Sequence, residues 1–375
     1  MEDHLAVRRE LLQNCRQIIV KAGTRLLTDQ KRIATLVSGI AAIRQRGIRV
    51  LLVSSGAVGM GMKELGMTKR PRELSAVQAL AAIGQCKLMS IYEEECAKFG
   101  FKTAQLLLTA ADIRSRERYL NVMNCINALW DKDILPIVNE NDSVSVDELK
   151  FGDNDYLCGV LASLTSSKLA VILTTEEGLR SRNADGSLGE RLSVVPKVDA
   201  SIRGMAGGTD NSEMSIGGMS SKLRAAELVN ASGACLWIAD GREPGILERI
   251  LNGDDVGTVF LPGDHKVSGH KRFLRFFADA AGSLLVDLRA AAALVERGSS
   301  LLPSGVIAVE GNFKRGDTVN ILDATGSVIA RGLVNYSSED CIRIKGAHSD
   351  ELPSLLGHPA DDEMVHRDNL TLVGD

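Results

Sequence analysis

The sequence predicts an α/β protein with a three-layer αβα domain around a mainly parallel sheet, followed by a small β-rich domain. Short apolar runs alternate with longer amphipathic segments over residues 16–262. These runs lack the polar alternation of a sheet with one solvated face, which is typical of parallel strands covered by helices on both sides. After about residue 275 the chain changes to brief strand-like runs separated by glycine-rich turns.

Seven apolar runs predict the strands of the large domain. In chain order they read QIIVKAG, IRVLLVSSG, TAQLLLT, ILPIVNEND, LAVILTT, ACLWIADG and GTVFLP. Helical periodicity between them predicts helices over Lys31–Arg46, Glu73–Phe99, Arg114–Asp131, Asn154–Leu164 and Gly217–Ser232. The polar stretch from Arg180 to Gly217 has weak periodicity, so we predict a mostly mobile loop around a short helix there.

Composition and the change in sequence pattern near residue 275 predict the domain organisation and exclude some functions. We expect a large domain over residues 1–264, a linker over 265–278 and a small domain over 279–375. The formal net charge of −4 gives no general attraction to nucleic acid or to anionic membranes. No run approaches the ~20 apolar residues of a membrane span, and the N-terminus has no signal-peptide pattern. The seven cysteines form no C-x-x-C pair, so we expect reduced thiols, no protein-held metal ion and a cytoplasmic location.

Polar motifs follow several predicted strands, at the edge where open α/β sheets bind ligands. GGMSSK, residues 217–222, opens a helix, so its backbone N–H groups can approach an anion while Lys222 reaches a terminal phosphate. Its spacing does not match the P-loop, and glycines before a helix usually mark a simple turn. Lys21 ends the first strand, and Ser55 and Gly56 end the second. Lys21 could instead simply extend from the strand end into water, and the segment with Ser55 and Gly56 could simply cap the helix that follows.

The segment VNENDSVSVDELKFGDND, residues 138–155, is dense in acidic side chains. A helix N-cap at Asp153 or Asn154 accounts for part of it. Packed carboxylates repel one another unless cations join them, and Lys21 and Lys222 are the candidate cations. A carboxylate that holds two lysines in place suits phosphoryl transfer, which needs positive charge fixed around the transferred group.

Taken together, these motifs resemble the glutamate 5-kinases of the amino-acid kinase family. The matching segments are VKAGTRLLTD, VSSGAVGMGMKELG, QALAAIGQ, RERYLN, LPIVNENDSV, FGDND and GGMSSKLRAAELV. The C-terminal segments RGSSLLPSGVIAVEGNFKRGD, ARGLVNYSSED and VHRDNL resemble a PUA domain. The resemblance implies the amino-acid kinase fold and an ATP-dependent phosphorylation of the γ-carboxylate of L-glutamate. The product would be γ-glutamyl 5-phosphate, in the first step of proline biosynthesis.

The resemblance also implies roles for individual residues. Lys21 and Lys222 match the lysines that stabilise the transferring phosphoryl group, and Asp155 matches the aspartate that organises them. The positions that match glutamate-binding residues are Ser55, Asn139, Asp142 and Asn154. The positions that match nucleotide or phosphate contacts are Gly23, Gly56, Thr174, Thr175, Gly217, Gly218 and Met219.

The same resemblance implies the remaining components of the reaction. These are ATP, L-glutamate and Mg²⁺ held mainly by ATP phosphates and water, with proline as a feedback inhibitor and a homo-oligomer, dimer or tetramer, as the assembly. We assign no general base, because a carboxylate is already ionised near pH 7.

The chain departs from the family pattern on the nucleotide side. It has Thr174-Thr175 where the family usually has Thr-Asp, and Ser215-Ile216 where it usually has Gly-Thr, which puts ATP affinity or nucleotide choice in question. Three alternatives stay open: a kinase of this fold with another acceptor, a kinase retained only for regulation, and an RNA-binding protein. Residues 279–375 contain 8 Lys and Arg against 15 Asp and Glu, a net charge of −7 that argues against RNA binding.

Overall fold

The computed structural model describes residues 2–13, 15–145, 154–183, 185–206, 218–263 and 269–373. The chain divides into two compact units. Unit 1 consists of Met1–Ile113 and Glu117–Lys266, and unit 2 of Arg114–Arg116 and Val267–Asp375. Each unit has its own hydrophobic core.

The larger unit alternates strands and helices along most of its length. Its elements are α1 (Glu2–Leu12), β1 (Gln17–Ala22), α2 (Gln30–Gln45), β2 (Arg49–Val53), α3 (Ala57–Glu64), α4 (Leu74–Ala97), β3 (Thr103–Leu108), α5 (Ala110–Arg114), α6 (Arg116–Asp131), β4 (Leu135–Glu140), α7 (Asn154–Thr165), β5 (Leu169–Thr174), β6 (Arg180–Arg182), β7 (Leu188–Arg191), β8 (Val194–Val195), α8 (Ala200–Met205), α9 (Met219–Ala231), β9 (Cys235–Asp240), α10 (Ile246–Leu251) and β10 (Thr258–Phe260).

The central sheet has eight strands in the order β3-β4-β2-β1-β5-β9-β10-β8. Neighbouring strands from β3 through to β9 run parallel, and β10 pairs antiparallel with β9. The seven predicted strands are all present, and the predicted fold class is confirmed. Strands β4 and β9 are buried along their whole length, which explains why their sequences are apolar without alternation up to the polar residues at their carboxyl ends.

Helices α3 and α4 approach each other unusually closely beside the carboxyl end of β2. A Cβ atom on Gly84 of α4 would lie 1.8 Å from the carbonyl oxygen of Ala57, and one on Gly61 of α3 would lie 2.0 Å from that of Leu80. The two glycines therefore let the helix backbones touch. This contact brings the middle of α4 next to the turn that follows β2.

The prediction of a mostly mobile loop from Arg180 to Gly217 is wrong for its first part. Strands β6 and β7 form an antiparallel hairpin, and β8 joins the edge of the central sheet. The hairpin turn contains Gly186 at φ +82°, and the Asp185 carboxylate accepts from the Ser187 N–H at 2.9 Å. The hairpin side chains are largely polar, so the sequence shows little apolar periodicity. Residues 207–217 lie outside the described part of the chain.

Helix α4 is, by length and mean hydropathy, able to cross a membrane, which the sequence analysis did not anticipate. Such a helix is weak evidence for a membrane protein, because core helices of soluble proteins pass the same test. One face of α4 packs in the core of unit 1 through Leu88, Ile91, Tyr92 and Cys96.

The smaller unit is built on a five-stranded sheet. Its elements are α11 (Gly269–Arg272) with a π-helical turn at Phe273–Phe277, β11 (Gly282–Val286), α12 (Leu288–Arg297), β12 (Val306–Gly311), β13 (Thr318–Leu322), β14 (Val328–Leu333), α13 (Ser338–Ile344), α14 (Leu352–Leu356) and β15 (Leu370–Leu372). The strand order is β12-β11-β13-β14-β15, and β11 and β13 are parallel. Much of the predicted linker over 265–278 is thus helical, with Phe273, Leu274 and Phe277 buried.

Candidate active site

Three charged side chains meet at the carboxyl edge of the central sheet. The Asp155 carboxylate contacts Lys21 Nζ through Oδ1 at 2.5 Å and Lys222 Nζ through Oδ2 at 2.9 Å. Asp155 is fully buried, and the two lysines are 7% and 5% exposed. One carboxylate therefore holds two ammonium groups, one on each oxygen, in a largely water-free place.

Three separate elements bring these groups together. Lys21 lies near the end of β1, Asp155 in the first turn of α7, and Lys222 at the end of the first turn of α9. Helices α7 and α9 pack closely one turn further along. There a Cβ on Gly159 would lie only 3.2 Å from the Ala225 carbonyl oxygen. The small residue at this crossing lets Asp155 and Lys222 reach each other.

The electrostatics of Asp155 favour its ionised form. Burial alone raises the pKa of this carboxyl, but the charges of Lys21 and Lys222 and their hydrogen bonds outweigh burial and hold the pKa below its usual value. The cluster carries one negative and two positive charges. It therefore has a surplus positive charge with which to meet a phosphate group.

A network of side-chain amides lies beside this cluster. Asn154, the first residue of α7, donates from Nδ2 to the Ser54 carbonyl oxygen at 2.8 Å and to Ser55 Oγ and Asn139 Oδ1, each at 3.0 Å. Asn139, in β4, donates from Nδ2 to Gln85 Oε1 at 2.9 Å. The structure thus joins three of the four predicted glutamate-binding residues, Ser55, Asn139 and Asn154.

The fourth, Asp142, lies two residues beyond the end of β4, in a turn at the same sheet edge. Ser145 in this turn accepts a hydrogen bond on its carbonyl oxygen from Gln78 Nε2 of α4, at 3.3 Å. The turn carrying Asp142 is therefore held against α4. Residues 146–153, which continue the acidic segment, lie outside the described residues.

The predicted phosphate-contacting glycines differ in what they offer. The Gly23 N–H donates to the Leu173 carbonyl oxygen at 3.1 Å, so the sheet already uses this donor. A Cβ on Gly23 would stand 3.7 Å from Lys21 Nζ, so the missing side chain leaves room beside that ammonium group. Gly56 has φ +89° and caps α3, a conformation that favours glycine.

Gly218 caps α9 and Met219 is its first residue, whereas Gly217 lies outside the described residues. Thr174 ends β5, paired with Asp240 at the end of β9, and Thr175 follows it. Arg242 donates to the Thr175 carbonyl oxygen at 2.7 Å and forms an ion pair with Asp240 at 2.6 Å. The sequence analysis missed this Asp240–Arg242 pair, although ACLWIADG had already placed Asp240 at a strand end.

The sequence analysis also did not identify Gln85 as a candidate site residue. The segment QALAAIGQ contributed to the family resemblance, and its two glutamines lie seven residues apart on one face of a helix. Both face polar groups of the site region, since Gln78 donates to Ser145 and Gln85 accepts from Asn139. A polar residue repeated at helical spacing within an apolar helix was the available signal.

The eight-stranded, mainly parallel sheet, with two lysines on one buried carboxylate at its carboxyl edge, defines an α/β domain with a positively charged site suited to an anionic ligand. Comparison with known families then gives a match to the amino acid kinase family over residues 16–240 and to the PUA domain over residues 282–356. The chain belongs to the amino acid kinase family and carries a C-terminal PUA domain.

Curated relatives match along the full chain. A protein named glutamate 5-kinase from Trichlorobacter lovleyi is 42% identical, with 98% of this chain and 99% of the relative covered. Proteins of the same name from Desulfotalea psychrophila and Methylococcus capsulatus are 42% and 43% identical, over 98% and 97% of this chain and 100% and 99% of theirs.

Proposed function

We propose that this chain is an ATP-dependent kinase that phosphorylates the γ-carboxylate of L-glutamate, giving γ-glutamyl 5-phosphate for proline biosynthesis. The observation that carries this proposal is the buried cluster of Lys21, Asp155 and Lys222. The full-length relatives named glutamate 5-kinase support the choice of acceptor.

The cluster suits direct in-line transfer of the phosphoryl group. Phosphoryl transfer depends mainly on positioning and on fixed charge around the transferred group. Lys21 and Lys222 supply that charge, and Asp155 keeps their ammonium groups apart and in place, with spacing set by its two oxygens. The γ-carboxylate of glutamate attacks as the ionised nucleophile, so no proton needs to be removed at pH 7.

We propose that the acceptor amino acid binds beside the cluster. Ser55, Asn139 and Asn154 supply neutral hydrogen-bonding groups, and Asp142 supplies a carboxylate for the substrate ammonium group. On the nucleotide side we propose Gly23, Gly56, Thr174, Thr175, Gly217, Gly218 and Met219. Of these, Gly23 contributes space rather than a donor, because its N–H is engaged with Leu173.

Mg²⁺ is proposed to enter with ATP. Among the described residues, no three His, Cys, Asp or Glu side chains stand together as metal ligands, and both oxygens of Asp155 face lysines. The protein groups present therefore fit a metal held by ATP phosphates and water better than one held by side chains. Bound in that way, the ion would neutralise charge on the phosphate oxygens.

Further proposals concern regulation and assembly. Proline is a feedback inhibitor that competes for the amino-acid pocket, the chain forms a dimer or tetramer, and the enzyme works in the cytoplasm. We also propose that the kinase domain spans residues 1–264 and the PUA domain residues 279–375. The net charge of −7 over 279–375 argues against RNA binding by the PUA domain, because RNA binding needs a basic face.

The test is a substrate panel. Purified protein with ATP and Mg²⁺ is assayed for ADP release with L-glutamate, aspartate, N-acetylglutamate, carbamate and UMP, and the acyl phosphate is trapped with hydroxylamine. We expect glutamate to give ADP and γ-glutamyl hydroxamate in equal amounts. A preference for another acceptor would replace the proposed substrate, and no turnover with any of them would favour a regulatory protein.

A further inference from the structure

Two buried polar atoms in the amide network have no hydrogen-bond partner among the described residues. They are Gln85 Nε2, a donor, and Asn154 Oδ1, an acceptor. Gln85 is 7% exposed, so its free N–H group has little access to solvent. Buried donors without partners are costly, about 1–3 kcal/mol each, and need an explanation such as a water, an ion or a substrate that binds there.

Backbone groups fix which atom of each amide is free. The Glu140 N–H donates to Asn139 Oδ1 at 2.9 Å, so Asn139 must present its Nδ2 to Gln85. Gln85 therefore turns its Oε1 toward Asn139 and leaves Nε2 as the free donor. In the same way, the Ser54 carbonyl oxygen accepts from Asn154 Nδ2, which leaves Asn154 Oδ1 as the free acceptor.

The fold also explains how Gln85 reaches this place. The neighbouring Gly84 lets α4 touch the backbone at Ala57, two residues beyond Ser55. Gln85 then lies one amide away from Asn154, with Asn139 between them. The free donor and the free acceptor thus belong to one hydrogen-bonded network, in which Asn154 directly precedes Asp155 in the chain.

A free donor and a free acceptor in one network match the two charged groups on the α-carbon of an amino acid. A carboxylate accepts from an amide N–H, and an ammonium group donates to an amide oxygen. We infer that Gln85 is a further substrate-binding residue, whose Nε2 donates to the α-carboxylate while Asn154 Oδ1 accepts from the ammonium group. This inference rests on the proposed function, since it names how the same pocket recognises its amino acid.

The test compares glutamate with 4-aminobutyrate, which keeps the ammonium group and the reacting carboxylate but lacks the α-carboxylate. The variant Gln85→Glu preserves an acceptor for Asn139 and removes the donor. We expect kcat/KM for glutamate to fall roughly 10- to 100-fold, the worth of a hydrogen bond to a charged group. For 4-aminobutyrate, read from the initial slope below saturation, it should change less than about threefold.

Gln78→Glu is the matched control, because it places the same charge two turns away on the same helix face. We expect any loss in this variant to be shared equally by the two substrates. Gln85→Met repeats the test without an added charge, and thermal unfolding establishes that each variant is folded.

Equal losses for both substrates in Gln85→Glu and Gln85→Met would overturn the inference and make Gln85 a packing residue. That result would leave the proposed function intact, provided that the wild-type protein phosphorylates glutamate. A wild-type protein that gives no γ-glutamyl hydroxamate would overturn the proposed function, and the inference with it.

Discussion

Replacing Asp155 with asparagine tests the buried cluster most severely, because one atom change removes the charge that both lysines share. At 2.5 and 2.9 Å, each contact with a lysine is worth about 6 kcal/mol at an effective dielectric constant of 20, before desolvation is subtracted. Removing one partner of a buried ion pair costs about 3–5 kcal/mol in practice. We therefore expect Asp155→Asn to lower the free energy of unfolding by that amount, and kcat by roughly 10²-fold or more.

The chain offers a convenient probe for this measurement. Its two tryptophans, Trp130 and Trp237, are both buried in unit 1, so tryptophan fluorescence during urea unfolding reports on that unit. Glu227→Gln is the matched control, since its ion pair with Arg203 is more than a quarter exposed on both sides. This control should lose no more than about 1 kcal/mol.

A double variant shows whether the cost comes from unpaired charge. In Asp155→Asn/Lys222→Met one of the two unpaired ammonium groups is gone, so the double variant should be less destabilised than the sum of the single changes. An Asp155→Asn protein with unfolding free energy within 1 kcal/mol of wild type would refute the reasoning. Strict additivity in the double variant would refute it as well.

Three further predictions concern charge and nucleotide affinity. The pKa of Asp155 is lower in the folded protein than in the unfolded chain, where it is about 4, so the stability that its charge contributes is complete above about pH 4 and is lost as the pH falls through the folded-state pKa. The difference in unfolding free energy between wild type and Asp155→Asn, measured by urea unfolding, should therefore be constant from about pH 5 to 8 and shrink below about pH 4. Arg8 is fully buried over the Trp237 ring and donates to the Val256 carbonyl oxygen at 2.8 Å. We therefore expect Arg8→Met to lower the unfolding free energy of unit 1 by about 3 kcal/mol without changing the KM for glutamate. An unfolding free energy equal to that of wild type would contradict this prediction. Thr175→Asp should lower the KM for ATP several-fold at saturating glutamate, because a charged acceptor binds nucleotide hydroxyls more strongly than a neutral one. An unchanged or higher KM for ATP would mean that Thr175 is not a weakened nucleotide contact.

The sequence predicted the central sheet well because its strands are buried on both faces. Continuous apolar runs such as those of β4 and β9 leave little choice of structure. The chemistry was also predictable in part, since carboxyl ends of parallel strands meet at one edge and Lys21 lies at such an end. That Asp155 contacts both lysines followed from the family resemblance rather than from the pattern.

Elements held by polar contacts were the ones that pattern analysis missed. Helix α1 is fixed by a buried arginine, Arg8, which hydropathy counts as a surface residue. The β6–β7 hairpin has mostly polar strands and depends on its turn at Asp185-Gly186. Gln85 is a polar residue in an apolar helix, and its importance depends on Asn139, 54 residues away along the chain.

The central claim is that the two lysines held by Asp155 stabilise the phosphoryl group during its transfer to glutamate. The most direct measurement is steady-state ADP release by wild type and by Lys222→Met, with ATP and glutamate each varied. In the proposed role the lysine acts mainly in the transition state, so we predict a kcat lowered by roughly 10²-fold or more, with the KM for glutamate changed less than about threefold. A folded Lys222→Met protein with a wild-type kcat would contradict the claim.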